Sequence, residues 1–298
     1  MNKKLRANLA LLLITLIWGS SFIFMKNALD FISPLAFLGI RFSIAAVILV
    51  LVNIKKLKDV NVVCIKNGAI VGALVFSYML LQVVGLLYTT ASKSALITGI
   101  SVVLVPLISA VVLKKAPDLN AVIGVGLAMA GLIFLSGMDF GTINFGDVIT
   151  LGCAVLCAIH ILSVARFTAV VEPRLLTMIQ FSVCAVLYLI GWGLTGFPAF
   201  ILSRQVVVAL LTTGIFGTAV AYTLWAMVQQ DTTPTEAALI FTCEPVFAIA
   251  MAMLIPGNDG GTEQLTASVA IGCLLIIGGM LLAEIGPKKK DKEEMRSQ

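Results

Sequence analysis

The chain has 298 residues, of which 60% are hydrophobic and only 12% are charged, and its formal net charge is +5. Soluble globular domains carry about 25% charged residues, so this composition indicates an integral membrane protein and excludes a water-soluble one. The small basic excess argues against a nucleic-acid-binding protein. Continuous apolar runs argue against an outer-membrane barrel, whose strands alternate polar and apolar residues.

Long apolar stretches follow one another along the chain, and stretches of about 20 residues cross a bilayer as α-helices. We number them spans 1 to 10, at residues 7–29, 34–54, 67–88, 92–113, 119–138, 146–168, 174–195, 205–228, 234–255 and 265–285. The basic residues before span 1 are typical of a signal peptide. The length of its apolar stretch and the spans that follow predict that span 1 is retained.

The distribution of Lys and Arg predicts which ends of the spans face the cytoplasm. With a cytoplasmic N-terminus, sixteen of the 20 basic residues lie at inner ends, and two, Lys93 and Arg204, lie at outer ends. Lys26 and Arg41 fall within spans. The sequence therefore predicts a multi-pass protein of the cytoplasmic (plasma) membrane with both termini inside.

The second half of the sequence repeats the first. Three windows match in the same order, at offsets of 139, 143 and 148 residues: 34–47 with 173–186, 90–103 with 233–246, and 123–131 with 271–279. We therefore predict two five-span halves, 1–138 and 139–287, and a charged cytoplasmic tail, 288–298. Because five is odd, the second half enters the membrane from the opposite side. The predicted fold class is an all-α membrane protein whose ten transmembrane helices form two inverted five-helix repeats.

Inverted repeats are the architecture of many secondary transporters, in which one site near the midplane is exposed to each side in turn. The sequence therefore predicts a carrier that works by alternating access. It contains no phosphate-binding loop and no hydrolase or zinc-protease motif, so we expect no enzymatic activity and no cofactor. The expected partners are a small-molecule substrate and the lipid bilayer.

Several motifs, taken in their order along the repeat, resemble those of the drug/metabolite transporter superfamily and of its EamA-like branch. They are Trp18-Gly19-Ser20-Ser21-Phe22, Arg41-Phe42, Ala221-Tyr222-Thr223-Leu224-Trp225, Thr233-Pro234-Thr235-Glu236-Ala237-Ala238 and Glu244-Pro245-Val246-Phe247. The resemblance covers essentially the whole chain. It implies a ten-helix bundle with both termini inside and a central cavity lined mainly by spans 1, 3, 4, 6, 8 and 9. It also implies export or exchange of amino acids and other small metabolites.

Glu244 lies near the middle of span 9, where an ionisable side chain is costly and is a functional candidate by default. The 143-residue offset pairs it with Ser101 in span 4. Pro245 and Pro106 each remove a helical hydrogen bond from these two spans, and paired interrupted helices indicate a transporter site. Two interpretations stay open for Glu244: binding of a cationic group or a proton, and a structural hydrogen bond beside the kink.

Arg41 in span 2 and His160 in span 6 are further candidates for coupling or gating. Arg41 either extends towards the outer headgroups or pairs inside the bundle, and we expect a structural role. His160 follows Cys153 and Cys157 on roughly one helix face. Packing and a cavity function, by hydrogen bonding to substrate or by titration, stay open for it. A metal site would need further ligands, and none is expected.

Buried aromatic and amide side chains complete the predicted site. Tyr78 and Gln82 share one face of span 3, and Trp18 lies deep in span 1, so we expect them to line a substrate cavity. Trp225 lies near a span end and fits an interfacial aromatic belt. The predicted cavity residues are Trp18, Ser21, Tyr78, Gln82, Thr98, Ser101, His160, Tyr222 and Glu244.

Together these features predict a secondary transporter that moves small amphipathic metabolites, amino acids or related compounds, outward. The alternative within transport is a proton-coupled exporter of drugs or cations that uses Glu244. A membrane-embedded enzyme that uses His160 and the cysteines is a remote alternative, and the inverted repeat argues against it.

Overall fold

The computed structural model describes residues 3–113, 119–135, 144–258, 260–262 and 264–285. The predicted boundary between the halves, at 138 and 139, and the predicted tail, 288–298, lie outside these residues. Within them the chain is all-helical and contains no strand, as the composition and the apolar runs predicted.

The described helices are α1 (Lys3–Ala28), α2 (Pro34–Val52), α3 (Val62–Tyr88), α4 (Ala91–Gly99), α5 (Ser101–Leu113), α6 (Leu119–Leu135), α7 (Phe145–Phe167), α8 (Pro173–Leu194), α9 (Arg204–Leu211), α10 (Ala221–Val228), α11 (Pro234–Phe241), α12 (Glu244–Leu254) and α13 (Ala267–Ile285). A π-helix, Thr212–Val220, joins α9 to α10, and 3₁₀ turns occupy Ile54–Asp59 and Gln229–Asp231. In the described part of the chain, eight helical segments are long and apolar enough to cross a membrane. α6 and α13 are shorter apolar helices.

The predicted spans map onto these elements in order. Span 4 is α4 with α5, span 8 is α9, the π-helix and α10, and span 9 is α11 with α12; each other span is one helix. Polar caps extend several helices beyond their apolar stretches. Asn61, for example, caps α3, so this helix begins at Val62 rather than at residue 67, where the apolar run starts.

Spans 4 and 9 are broken at equivalent positions. The breaks lie at Ile100 and at Thr242–Cys243, which the 143-residue offset superimposes. Pro245 accounts for the second break, because its ring clashes with the carbonyl group four residues earlier. Span 4 is interrupted as predicted, but the break lies six residues before Pro106, which is inside α5.

Buried residues of α1 to α5, of α7 to α12 and of the π-helix form the core of the bundle. α2 packs on α8, α3 packs on α7 and α8, and α1 packs on α9 to α12 and on the π-helix. α7 packs on α4 and α5, α2 also packs on the π-helix, and α6 packs on α13. At the last contact a Cβ on Gly131 would lie 2.7 Å from the carbonyl oxygen of Gly272, so glycine permits the close approach of these helices.

The bundle has two ends. The end at which α1 begins is the N-terminal end, and the opposite end, where α1 finishes and α7 begins, is the far end.

Candidate functional site

A small pocket of about 50 Å³ lies in the middle of the bundle. Residues of α1 to α5, α7 and α10 to α12 line it, so both halves of the chain contribute. All the residues singled out from the sequence lie in this lining: Trp18, Ser21, Arg41, Tyr78, Gln82, Thr98, Ser101, His160, Tyr222 and Glu244. The structure therefore brings the candidates together, and their roles stay predictions.

Hydrogen bonds between hydroxyl and amide groups at the pocket connect different helices. The hydroxyl groups of Tyr78 and Tyr222 are hydrogen-bonded to each other, which connects α3 in the first half to α10 in the second. Gln82 Nε2 donates a hydrogen bond to Thr98 Oγ1 at 3.4 Å. These polar side chains are buried in the bundle, where they can supply directional contacts to a small polar molecule.

Three rings form an aromatic cluster on one side of the pocket: Trp18, Trp225 and Phe241. Their ring centroids lie 5.0 to 5.8 Å apart, and Trp18 Nε1 donates to the carbonyl oxygen of Gly217 at 2.9 Å. Along their own helices, Trp225 and Phe241 lie nearer the N-terminal end than Tyr222 and Glu244 do. The cluster therefore lies between the pocket and the N-terminal end.

Trp225 corrects one expectation. Its position near a span end predicted an interfacial belt, but the side chain is only 2% exposed, and its Nε1 donates to Gln229 Oε1 at 2.6 Å. Distance from the end of a span gives depth but not the face on which a ring lies. Trp225 lies on the face of α10 that points into the bundle.

His160 lies beside this cluster. Its ring centroid is 5.3 Å from those of Tyr78 and Trp225, and the residue is 1% exposed. Within the described residues Nε2 has no hydrogen-bond partner. A buried polar atom without a partner is costly, so His160 is placed to accept or donate a hydrogen bond to a molecule in the pocket.

Glu244 is the first residue of α12, just after the break in span 9. It lines the pocket, and in the described structure its carboxyl group makes no hydrogen bond and no ion pair. The sequence left open a structural hydrogen bond beside the kink, and no such bond to a described residue is present. The carboxyl group faces the space that a ligand would occupy.

Arg41 lies inside the bundle rather than near the headgroups. It is 1% exposed, and its Nε donates a hydrogen bond to Thr218 Oγ1 at 2.9 Å. Thr218 belongs to the π-helix, and its hydroxyl in turn donates to the carbonyl oxygen of Thr213 at 2.8 Å. Arg41 therefore lies inside the bundle, where it forms no ion pair with a described residue.

Further lining residues were not predicted to line the cavity. They are Phe22, Met25, Met79, Gly99, Cys157, Ile161, Trp225, Ala238, Phe241 and Thr242. Most are apolar and are indistinguishable in the sequence from other core residues. For Phe241 and Thr242 a signal existed, because they lie two to three residues before Glu244 and Pro245 in span 9.

Ion pairs connect the two halves of the chain at both ends of the bundle, and the N-terminal end also holds a more exposed pair, Lys56–Glu172, between the turn after α2 and the start of α8. At the N-terminal end, Lys4 Nζ lies 2.9 Å from Glu236 Oε1 and connects α1 to α11. At the far end, Lys93 Nζ lies 2.7 Å from Asp147 Oδ2 and connects α4 to α7. Each pair therefore connects the first half of the chain to the second.

A larger cavity, the vestibule, opens at the far end. Its volume is about 410 Å³, and its polar lining includes Lys26, Asn27, Asp30, Thr90 and Asn258. Lys26 Nζ donates to the carbonyl oxygens of Leu86 and Thr89 at 2.7 and 2.9 Å, and Asn258 Nδ2 donates to Asp30 Oδ2 at 2.6 Å. The far end therefore holds a cavity with a partly polar lining.

Metal binding finds no support in the described part of the chain. No group of three or more His, Cys, Asp or Glu side chains converges there, and the free cysteines are buried or partly buried.

Comparisons with known proteins identify relatives over most of the chain. A model of the EamA-like transporter family matches residues 5–137 and 144–284. An Archaeoglobus fulgidus protein named an uncharacterized transporter is 34% identical over 95% of this chain and 87% of its own length. The uncharacterized transporter YoaV of Bacillus subtilis is 24% identical over 92% and 95%, respectively. One solved crystal structure, 18% identical, has a TM-score of 0.71 and covers 93% of this chain and 96% of its own, a likeness of fold alone.

Proposed function

The chain belongs to the EamA-like transporter family and is a multi-pass membrane transporter, and from this premise we propose that it is a secondary transporter that exports small amphipathic metabolites across the cytoplasmic membrane. Amino acids or related compounds are the proposed substrates. One observation carries the proposal: a central pocket with polar and aromatic walls is lined by both halves of the chain. The names of the relatives indicate a transporter rather than an enzyme.

The helix contacts support two inverted five-helix repeats of ten transmembrane helices, with halves at 1–138 and 139–287. If spans 1 to 5 exchange with spans 6 to 10, the contact of spans 3 and 6 becomes that of 8 and 1. The contact of 3 and 7 becomes that of 8 and 2, and the contact of 1 and 9 becomes that of 6 and 4. All six contacts occur, and the contacts of 2 with 7 and of 5 with 10 map onto themselves.

The two end ion pairs support alternating access. The 143-residue offset aligns Lys93 with Glu236 and Lys4 with Asp147, so the pairs are equivalent with their charges exchanged. The N-caps Thr90 and Thr233 are equivalent in the same way. Because each pair connects the two halves at one end, opening one end breaks one pair and leaves the other intact. That is what rocking of the halves around a fixed site requires.

The excess of Lys and Arg at the ends of the spans supports a cytoplasmic N-terminal end. In this orientation the vestibule faces outward, and the aromatic cluster lies between the pocket and the cytoplasm. A proton-coupled exporter of cations is the second candidate function. The free carboxyl group of Glu244 in the pocket favours it.

Counterflow in proteoliposomes tests the proposal. Vesicles are loaded with unlabelled leucine or phenylalanine, and entry of the labelled amino acid from outside is followed over time. A carrier gives transient accumulation above equilibrium, whereas a channel gives none. Parallel assays use a polyamine and a cationic dye.

The variant Glu244→Gln separates the two candidates, with Glu172→Gln, an exposed carboxylate outside the pocket, as the matched control. Amino-acid counterflow in the wild type supports the metabolite exporter, whether Glu244→Gln keeps it or weakens it. Counterflow of cations only, abolished in Glu244→Gln and kept in Glu172→Gln, supports the cation exporter. Absence of counterflow for every class would contradict both.

A further inference from the structure

Arg41 is a buried cation whose protein partners are weak. Besides its bond to Thr218, its Nη1 lies 3.3 Å from the Sδ atom of Met25 and 4.0 Å from that of Met79. Thioether sulfur is a weak acceptor. One hydroxyl and two sulfurs therefore receive the hydrogen bonds of a group that carries five N–H donors.

No carboxylate compensates this charge among the residues that the structure describes. Arg41 takes part in no ion pair there, and the titratable groups that face it are Tyr78, Tyr188, Tyr222 and Cys184. Arginine is almost never fully buried unless an anionic group pairs with it. The described protein therefore leaves this guanidinium group without its usual anionic partner.

The free edge of the guanidinium group borders the pocket. Arg41 lines the pocket, and no described residue accepts a hydrogen bond from Nη2. Next to it, Gly217 leaves space, because a Cβ there would lie 3.3 Å from Ser21 Oγ and 3.8 Å from Nη2. A small acceptor in the pocket can therefore reach Nη2.

The π-helix holds Arg41 in position. Because a π-helix shifts the register of its side chains, Thr218 bonds to the carbonyl group five residues earlier and presents its hydroxyl oxygen to Arg41 Nε. Such π-helical segments are frequent at functional sites. Gly214 lets α2 approach, since a Cβ there would lie 3.2 Å from the Arg41 carbonyl oxygen. The guanidinium group is therefore fixed before a ligand binds.

We propose that Arg41 anchors a carboxylate group of the transported substrate and so restricts the transporter to compounds that carry one. The inference rests on the proposed function. A planar carboxylate can accept hydrogen bonds from a guanidinium edge, and such charge-assisted bonds are about twice as strong as neutral ones. Glu244 lines the same pocket and is free to face the cationic end of a zwitterion.

Pairs of ligands that differ only by the carboxylate test this anchor. The probes are leucine with 3-methylbutylamine, phenylalanine with phenethylamine, and 4-methylpentanoate, which lacks the amine; inorganic phosphate tests for a general anion site. Apparent affinities are obtained from the thermal shift of purified protein, because a ligand that binds only the folded state raises its stability. The wild type is expected to bind each amino acid about tenfold or more tighter than its amine.

Variants of Arg41 then separate anchoring from a structural role. Arg41→Gln is expected to lose about tenfold or more of its amino-acid affinity with little change for the amines, and Arg41→Lys to lose less. Thr218→Val keeps the volume, removes the orienting hydroxyl and is expected to reduce amino-acid affinity a fewfold. The matched control is Arg204→Gln, at an exposed arginine of α9. A purely structural Arg41 would change both ligand classes together.

Equal affinity for an amino acid and its amine in the wild type overturns the anchor without any variant, as does undiminished leucine binding by Arg41→Gln. So does tight binding of phosphate with none of leucine or 4-methylpentanoate. In these cases counterflow of any probe still supports transport. Absence of counterflow for every class contradicts the proposed function itself.

Discussion

The two ends of the bundle carry equivalent ion pairs, yet the protein behind each pair is different. Behind Lys4–Glu236 lies the aromatic cluster of Trp18, Trp225 and Phe241, of which Trp225 is 2% exposed and Phe241 8%. Beside Lys93–Asp147 lies the vestibule of about 410 Å³. The N-terminal end is closed by packed rings, and the far end by polar contacts.

This difference indicates which end opens at the lower cost. Partly exposed ion pairs contribute about 0–1 kcal/mol each, whereas separating buried aromatic side chains also removes their apolar contacts. Since the two ion pairs are equivalent, the difference in opening cost between the ends comes from the aromatic cluster. We therefore expect the far end to open more readily and the aromatic cluster to be the main barrier to the N-terminal end.

Removing a ring of the cluster gives the largest expected effect. Phe241→Ala should lower the free energy of unfolding by about 3 kcal/mol, because it leaves a cavity in a buried site. It should also weaken the barrier at the N-terminal end. Because the balance between the two open states then changes, the labelled amino acid should accumulate more slowly in the counterflow assay. Unfolding is followed by circular dichroism during thermal denaturation.

Phe145→Ala is the matched control for this prediction. Phe145 lies at the far end and is 66% exposed, so its removal should change the free energy of unfolding by about 0.5 kcal/mol or less. Equal losses in the two variants would mean that the aromatic cluster is not a specially packed barrier.

Breaking the two ion pairs singly should move the protein in opposite directions. Lys93→Gln weakens closure of the far end, and Lys4→Gln weakens closure of the N-terminal end. We expect each variant to shift the equilibrium between opening at the far end and opening at the N-terminal end by about fivefold, since loss of the pair removes about 1 kcal/mol. The reporter is the native pocket residue Cys157, with Cys64, Cys153, Cys184, Cys243 and Cys273 replaced by serine or alanine. An impermeant thiol reagent is added to whole cells.

Labelling of Cys157 should be faster in Lys93→Gln and slower in Lys4→Gln. Lys56→Gln is the control, because the Lys56–Glu172 pair is 36% and 39% exposed and should not change the rate. The exchanged variant, Lys4→Glu with Glu236→Lys, should restore the wild-type rate. A change in the same direction for Lys4→Gln and Lys93→Gln would rule out opposite roles for the two pairs.

The sequence was most informative about what lies in the membrane and at what depth. Apolar runs predicted the all-helical membrane fold, and polar side chains deep within spans predicted residues that the structure brings to one pocket. These inferences succeed because a polar group is costly in contact with lipid, so polar side chains within spans face the interior of the bundle. Helix ends were predicted less well, because caps such as Asn61 lie in polar sequence outside the apolar run.

What the sequence could not predict depends on rotation and on distant partners. The face of Trp225 depends on the π-helix that precedes it in span 8, and the acceptors of Arg41 come from three other elements. The end ion pairs did leave a signal. The same 143-residue offset that aligned the halves places Lys93 on Glu236 and Lys4 on Asp147, with opposite charges.

The smallest expected effect concerns the polar contacts at the far end. Asn258 Nδ2 donates hydrogen bonds to the Asn27 carbonyl oxygen at 2.9 Å and to Asp30 at 2.6 Å, and these contacts are exposed. Asn258→Ala should therefore cost only about 0.5 kcal/mol and raise the Cys157 labelling rate about twofold. Asn258→Asp would place a second carboxylate against Asp30 and should raise the rate further. Unchanged labelling in both variants would show that these bonds do not restrain the far end, and closure there would rest on Lys93–Asp147.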